Sequence, residues 1–258
     1  MMERPRYSLE GRIALITGAS SGLGAHFARL YAAAGAAVVV GARRVERVNA
    51  LVDEINGAGG KALAVVLDVT DEASIIAAFD AAEAAIGVPD VVLANAGVVG
   101  AGRAIDVEAV TVRRVVDTNF NGVYLTAREG ARRMIAAGSK QSERGRIILT
   151  GSITAQMTGI GDAAYAATKL AVQHLGRQFA REWARLGINV NVIQPGYILT
   201  EIDDGWFETE GGKAQIASWP RKRLTDISAL DDMVLFFGSD ASRQVTGTFI
   251  SLDDGQSL

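Results

Sequence analysis

At 258 residues with no cysteine and a net charge of -3, the chain can bury a full core without disulfide staples and has no basic excess to recruit a nucleic-acid backbone. Apolar residues make up 49% of it, yet the longest apolar stretch, Leu30 to Gly41, falls short of the roughly 20 residues that span a bilayer, and the N-terminus leads into no signal-peptide core. The expectation is one compact cytoplasmic domain with neither nucleic acid nor membrane as partner, and with only His26 and His174 available, no His-rich metal site.

The first apolar run, Arg12 to Thr17, reads as a strand, and Gly18-Ala-Ser20-Ser21-Gly22-Leu23-Gly24 follows it before a helical pattern through Phe27, Leu30 and Tyr31. Strand, glycine turn and helix in that order make a phosphate cradle, because glycine lets a ligand approach the main chain and the helix N-terminus offers free N–H groups to an anion. The spacing is Gly-x-x-x-Gly-x-Gly, not the better-known Gly-x-Gly-x-x-Gly. A second strand over Ala36 to Gly41 ends at Ala42-Arg43-Arg44. An acidic residue near this point would suit the ribose hydroxyls of NAD, whereas arginine suits a 2'-phosphate, so NADP(H) is expected over NAD(H). Solvated surface arginines are the plain alternative.

Lys61 to Leu67 reads as a third strand ending at Asp68-Val69, with Asp68 placed to contact adenine and Asp71 to cap a helix over about Glu72 to Ile86. A fourth strand, Asp90 to Ala94, closes on Asn95-Ala96-Gly97, small residues that leave space for a cofactor. Asp106 to Ala137 has one long helical pattern broken in composition at Asp117 to Gly122, where Asn and Gly are poor helix formers and suggest an irregularity with a polar task. Gly138 to Gly145 reads as a surface loop, Arg146 to Thr150 as the fifth strand and Ile188 to Ile193 as the sixth, ended by Gln194-Pro195-Gly196. From Tyr197 to Thr225 the pattern breaks up, with Trp206, Phe207 and Trp219 among charges, as in a lid over an apolar substrate or a subunit contact. A helix over Ala229 to Gly238 and a strand over Gly247 to Leu252 complete the chain. Strands alternating with helices predict a parallel sheet covered on both sides, in a single domain.

Between the fifth and sixth strands lies the stretch with most chemistry. Tyr165 and Lys169 stand four apart in an Ala-rich helical segment, so both side chains leave one face. A phenol beside an ammonium has its ionised form favoured, which is the equipment of a general acid/base, and Ser152 adds a hydroxyl for the reacting oxygen. On its own, Tyr-x-x-x-Lys is a common helical spacing.

Together these motifs resemble the short-chain dehydrogenase/reductase family over nearly the whole chain, Arg12 to Gly255. The glycine turn is similar to the family's cofactor motif, Asn95-Ala96-Gly97 to its sheet-centre motif, and Pro195-Gly196 with Thr200 to its nicotinamide-side motif. Asn119, Ser152, Tyr165 and Lys169 match its catalytic tetrad, Ser152 standing thirteen residues before Tyr165. Two departures are Ala94 where Asn often opens the Asn-Ala-Gly motif, and Asp253-Asp254-Gly255 for the usual Asp-Gly-Gly.

The resemblance, nearest to 3-oxoacyl-carrier-protein reductases and secondary-alcohol dehydrogenases, implies a Rossmann-type doubly wound α/β domain with a mostly parallel seven-stranded sheet in the order 3-2-1-4-5-6-7. It implies interconversion of a ketone and a secondary alcohol by hydride transfer, with Tyr165 moving the proton, Ser152 holding the oxygen, Lys169 bonding the nicotinamide ribose and Asn119 holding a water. It also implies cofactor contacts from Gly18, Ser20 to Gly24, Arg43, Arg44, Asp68, Val69, Asn95 to Gly97, Pro195, Gly196, Ile198 and Thr200. Substrate contacts are expected from Ser152, Thr154, Met157, Ile160, Tyr197, Trp206, Phe207 and Trp219, the last four within a lid over 197–225. A homotetramer is implied, with the helical regions 106–137 and 162–186 packing across one interface. A serine hydrolase would need a Gly-x-Ser-x-Gly elbow, absent around Ser152, and a methyltransferase would want an acid where Arg43 stands. A non-catalytic NADP-binding regulator would have no use for all four tetrad residues.

Overall fold

The computed structural model describes residues 7–201 and 205–258. Seven parallel strands form one sheet in the order β3-β2-β1-β4-β5-β6-β7, as expected. They are β1 (Ile13–Thr17), β2 (Ala37–Ala42), β3 (Lys61–Val66), β4 (Val91–Ala94), β5 (Gly145–Thr150), β6 (Ile188–Pro195) and β7 (Phe249–Leu252). The central strands carry apolar residues continuously because both of their faces are covered. Side-chain alternation then divides them between two cores. Ala14, Ile16, Val38 and Val40 pack with Phe27 and Tyr31 on one side, while Leu15, Val39, Ile147 and Val192 pack with Phe79 and Phe179 on the other.

The first side is covered by α1 (Gly22–Ala33), α2 (Val45–Gly57) and, later in the chain, a helix over Asp231–Gly238. On the other side lie α3 (Glu72–Ala85), α4 (Ala109–Val116), α5 (Gly122–Ala136), a one-turn α6 (Ser139–Ser142) and α7 (Ala163–Trp183). Asp71 caps α3 as its sequence position suggests, accepting from the Ala73 N–H at 3.0 Å. The long pattern over 106–137 proves to be two helices joined by a π-helical turn, Asp117–Asn121, in which the Gly122 N–H reaches back to the Asp117 carbonyl. Wide turns of this kind inside helices often mark functional sites.

The expected irregular stretch after Tyr197 is also partly helical. It contains a short turn at Trp206–Glu208 and α8 (Glu210–Ser218), with α9 (Asp231–Gly238) following. Two glycines in the first turn of α8 hid it from sequence reading, since glycine is a poor helix former. Thr209 caps that turn by accepting from the Gly212 N–H at 3.1 Å. A Cβ on Gly212 would sit 2.1 Å from the Trp206 carbonyl oxygen, so close packing against Trp206 requires the glycine. Ile202, Asp203 and Asp204, inside the expected lid, lie outside the described residues.

Helix α7 is held where the site needs it by its inner face, Val172, Leu175, Gly176, Phe179 and Ala180. Burying Phe179 contributes about 2–3 kcal/mol. At Gly176 a Cβ would stand 2.4 Å from a methyl of Val192, so this glycine lets the helix close on β6. The N-terminal edge of the sheet has a different character. There the buried Arg12 pairs with Asp90 at 3.0 Å and with Asp240 at 2.5 Å, which ties three segments together away from the loops at the strand C-termini.

Candidate active site

One cleft of about 920 Å³ runs along the C-terminal edge of the sheet, where parallel α/β sheets bind ligands. Its left half is the glycine turn. Gly18 and Gly22 have φ of +67° and +52°, and Gly24 packs so closely that a Cβ would meet the Gly18 carbonyl oxygen at 2.4 Å. Thr17 ties this turn to the neighbouring strand end, its hydroxyl accepting from the N–H groups of Asn95 and Ala96 at 3.0 Å each. In return the Asn95 side-chain amide donates to the Thr17 carbonyl at 3.1 Å.

Arg43 and Arg44 close that half of the cleft. Arg44 is fixed, donating to the Ser20 hydroxyl at 2.9 and 3.1 Å, to the Ser21 hydroxyl at 2.8 Å and to Glu201 at 3.3 Å. Arg43 is freer, with its side chain 69% exposed and 3.9 Å from Asp68. Asp68 itself accepts from the backbone N–H and hydroxyl of Thr70 at 3.0 and 2.7 Å. Burial pushes its carboxyl up, but those two bonds and the Arg43 charge prevail and hold it below the ordinary range.

The other half holds Ser152, Tyr165 and Lys169. Ser152 follows β5, its hydroxyl accepts from the Thr154 N–H at 3.2 Å, and it lies near enough to the Tyr165 phenol to favour the ionised form. Lys169 is buried, donates to the Thr150 carbonyl at 2.8 Å and places its ammonium 5.5 Å from the centre of the Tyr165 ring. Sequence alone suggested that Lys169 would hold the phenol down. Instead burial pushes Tyr165 up to about 12, with Ser152 opposing and Tyr197 and Asp162 adding to the rise. Desolvation also lowers Lys169 to about 8. The cost of burial outweighs the pull of an ammonium that is turned toward a carbonyl.

Asn119 sits on the π turn, fully buried, and spends its side chain on the strand-end loop. Its oxygen accepts from the Val98 N–H at 2.8 Å and its amide donates to the Val98 carbonyl at 2.9 Å. A regular helix would turn this residue elsewhere; the extra residue in the turn aims it at the loop. Asn119 and Lys169 converge on Gly97, whose absent Cβ would lie 3.5 and 3.6 Å from them.

Most of the residues expected from sequence share this cleft: Gly18, Ser20 to Leu23, Arg43, Arg44, Asp68, Val69, Asn95 to Gly97, Ser152, Thr154, Ile160, Tyr165, Lys169, Pro195 to Ile198, Thr200, Trp206 and Phe207. Four do not line it. Gly24 and Asn119 are packed behind it, and Met157 is not among the residues lining it. Trp219 is only 5% exposed, stacked behind Tyr197 with centroids 5.2 Å apart. Sequence reading missed Glu201, which joins Arg44 and Arg47, and Gln256, whose side-chain oxygen accepts from the Tyr197 N–H at 2.6 Å. Both act across long separations, and only the run of acids beside Thr200 hints at the first.

A sequence model described as short chain dehydrogenase matches residues 12–211. The chain belongs to the short-chain dehydrogenase family. Among its relatives, the cis-4-hydroxycyclohexanecarboxylate dehydrogenase of Sinomonas cyclohexanicum is 36% identical, covering 95% of this chain and 96% of the relative. The gluconate 5-dehydrogenase of Gluconobacter oxydans is 32% identical over 96% of each. A crystal structure of a gluconate 5-dehydrogenase from Burkholderia cenocepacia J2315, in complex with NADP and tartrate, aligns with a TM-score of 0.92 at 33% identity and 98% coverage of both chains. This short-chain dehydrogenase is thus an oxidoreductase of a family whose named members act on alcohol and ketone groups.

Proposed function

We propose that the protein interconverts a ketone and a secondary alcohol with NADP(H), using Tyr165 as general acid/base. The placement of Ser152, Tyr165 and Lys169 in one cleft with the glycine turn, the Lys169 ammonium 5.5 Å from the centre of the Tyr165 ring, carries this reading. The chain fits the cofactor: Gly18 and Gly22 present bare backbone at the head of α1, where a pyrophosphate would rest, and Arg43 and Arg44 sit where a 2'-phosphate would need charge. NADP in the Burkholderia structure supports the same cofactor, and the relatives' dehydrogenase names support the reaction.

When bound, the nicotinamide supplies or accepts the hydride. For reduction, Tyr165 gives its proton to the carbonyl oxygen while Ser152 donates to that oxygen. Lys169 would bond the nicotinamide ribose, and Asn119 holds the loop against which both pack, beside the water the family likeness implies. Lys169, the nearest ammonium, would favour return of a proton to Tyr165. Because burial keeps the phenol protonated well above neutral pH, the acid form is present for reduction, whereas oxidation needs the rare phenolate. The test is loss of NADPH absorbance on adding a ketone, followed across pH. Reduction should stay level from pH 6 to 8 while kcat/KM for oxidation climbs with pH, up to about tenfold per unit. No turnover with any ketone or alcohol, or an oxidation rate that falls as pH rises, sinks the reading.

A homotetramer accompanies this reading. Val110 and Val116 on α4, Tyr124 on α5 and Leu170 on α7 leave apolar surface exposed along the helices expected at an interface. Light scattering should give four times the chain mass, and a monomer at working concentration overturns it.

A further inference from the structure

We propose that this active site is built for uncharged, ring-bearing ketones and secondary alcohols and selects against substrates that carry a carboxylate. The proposal rests on the ketone and alcohol reading above and narrows it.

The shape comes from a fixed aromatic wall. Tyr197 stacks on the buried Trp219 at an interplanar angle of 17°, and Phe207 stands edge-on to Tyr197 and Trp219 at 5.6 and 6.2 Å. Gln215 engages the polar tips: its oxygen accepts from the Trp206 indole N–H at 2.7 Å, and its side chain bonds Tyr197. Tyr197, Trp206 and Phe207 line the cleft together with Val99 and Ile160, an apolar and aromatic lining suited to a ring.

Charge supplies the selection. Arg43 and Arg44 line the glycine-turn half, and Lys169 is buried with a bond to Thr150. Among the described residues lining the substrate half, the ionisable group other than the phenols and Lys169 is Asp162, at the head of α7. It makes no side-chain capping bond there, and its charge is close enough to raise both Tyr165 and Tyr197. A substrate carboxylate entering this half would lose water, gain no cationic partner and face Asp162.

The test compares 4-oxocyclohexanecarboxylate with its methyl ester, using NADPH near neutral pH. The ester should be preferred in kcat/KM by about tenfold or more, a gap that added salt reduces. In Asp162→Asn the gap should narrow several-fold. Taking the ratio within each enzyme cancels any effect of the substitution on Tyr165. Equal or better turnover of the acid in the wild type overturns the proposal, and so does an unchanged ratio in the variant. Turnover of 2-octanone with neither ring compound overturns this proposal alone. Failure of every ketone and alcohol overturns the parent reading and this one with it.

Discussion

Replacing Tyr165 by phenylalanine is expected to lower kcat/KM for ketone reduction by about a hundred- to ten-thousandfold, the usual worth of a positioned acid. NADPH affinity should barely change, because the ring that remains still fills the same space between Ser152 and Lys169. The size of the effect follows from what else could protonate the oxygen. Ser152 is a far weaker acid than a phenol, so it can hydrogen-bond the oxygen but not protonate it. Lys169 has the right acidity, lowered to about 8, but its ammonium points to the Thr150 carbonyl behind the ring. Fold stability should change by no more than about 1 kcal/mol, because only a hydroxyl is removed and the ring stays packed. Steady-state rates, NADPH fluorescence titration and a melting curve together separate these effects. A variant that folds, binds NADPH and turns over a ketone at near-normal rate removes Tyr165 from the chemistry.

What sequence could and could not show about this site has a physical pattern. The seven strands and the glycine turn were legible because each depends on local periodicity or on a φ that glycine tolerates, as at Gly18 and Gly22, whereas the strand order, a matter of long-range pairing, was implied only by the family resemblance. Tyr165 and Lys169 were legible as a pair because a helix fixes residues four apart on one face. The break at Asp117 to Gly122 was visible, but its form was not. Whether a poor helix former ends a helix, kinks it or widens one turn depends on what the freed side chain finds, and here Asn119 finds Val98. Helix α8 was hidden by Gly211 and Gly212, which are tolerated because Trp206 packs against them. Trp219 looked like a substrate contact because an aromatic in a loop must be buried somewhere, and sequence does not say whether a ligand or Tyr197 does the burying. Glu201 and Gln256 act on partners far along the chain, and no local rule points to them.

The cofactor choice gives the second large effect. Replacing Arg43 and Arg44 together by alanine should reduce the preference for NADPH over NADH by about a hundredfold or more, since each charge-assisted hydrogen bond contributes about 1.5–3 kcal/mol. Sequence treats the two arginines alike, but the structure ranks them. Arg44 is already oriented by Ser20 and Ser21, so little side-chain freedom is lost when an anion arrives. Its bond to Glu201, at 3.3 Å, is the longest that it makes and the one that a phosphate would most readily replace. Arg43 is mostly exposed and only 3.9 Å from Asp68, so solvent and salt screen it and its share should be smaller. Arg43 still has a second task. Asp68 remains ionised through its Thr70 bonds, and without Arg43 that carboxylate faces an incoming 2'-phosphate uncompensated. NADH carries no such phosphate, so its kcat/KM should change little in either single variant or in the double one. The order of loss in NADPH preference should therefore be Arg43→Ala, then Arg44→Ala, then both, with added salt weakening NADPH more than NADH throughout. A double variant that keeps the original ratio of the two cofactors would place the 2'-phosphate elsewhere in the cleft and leave Arg44 a structural tie between the glycine turn and Glu201.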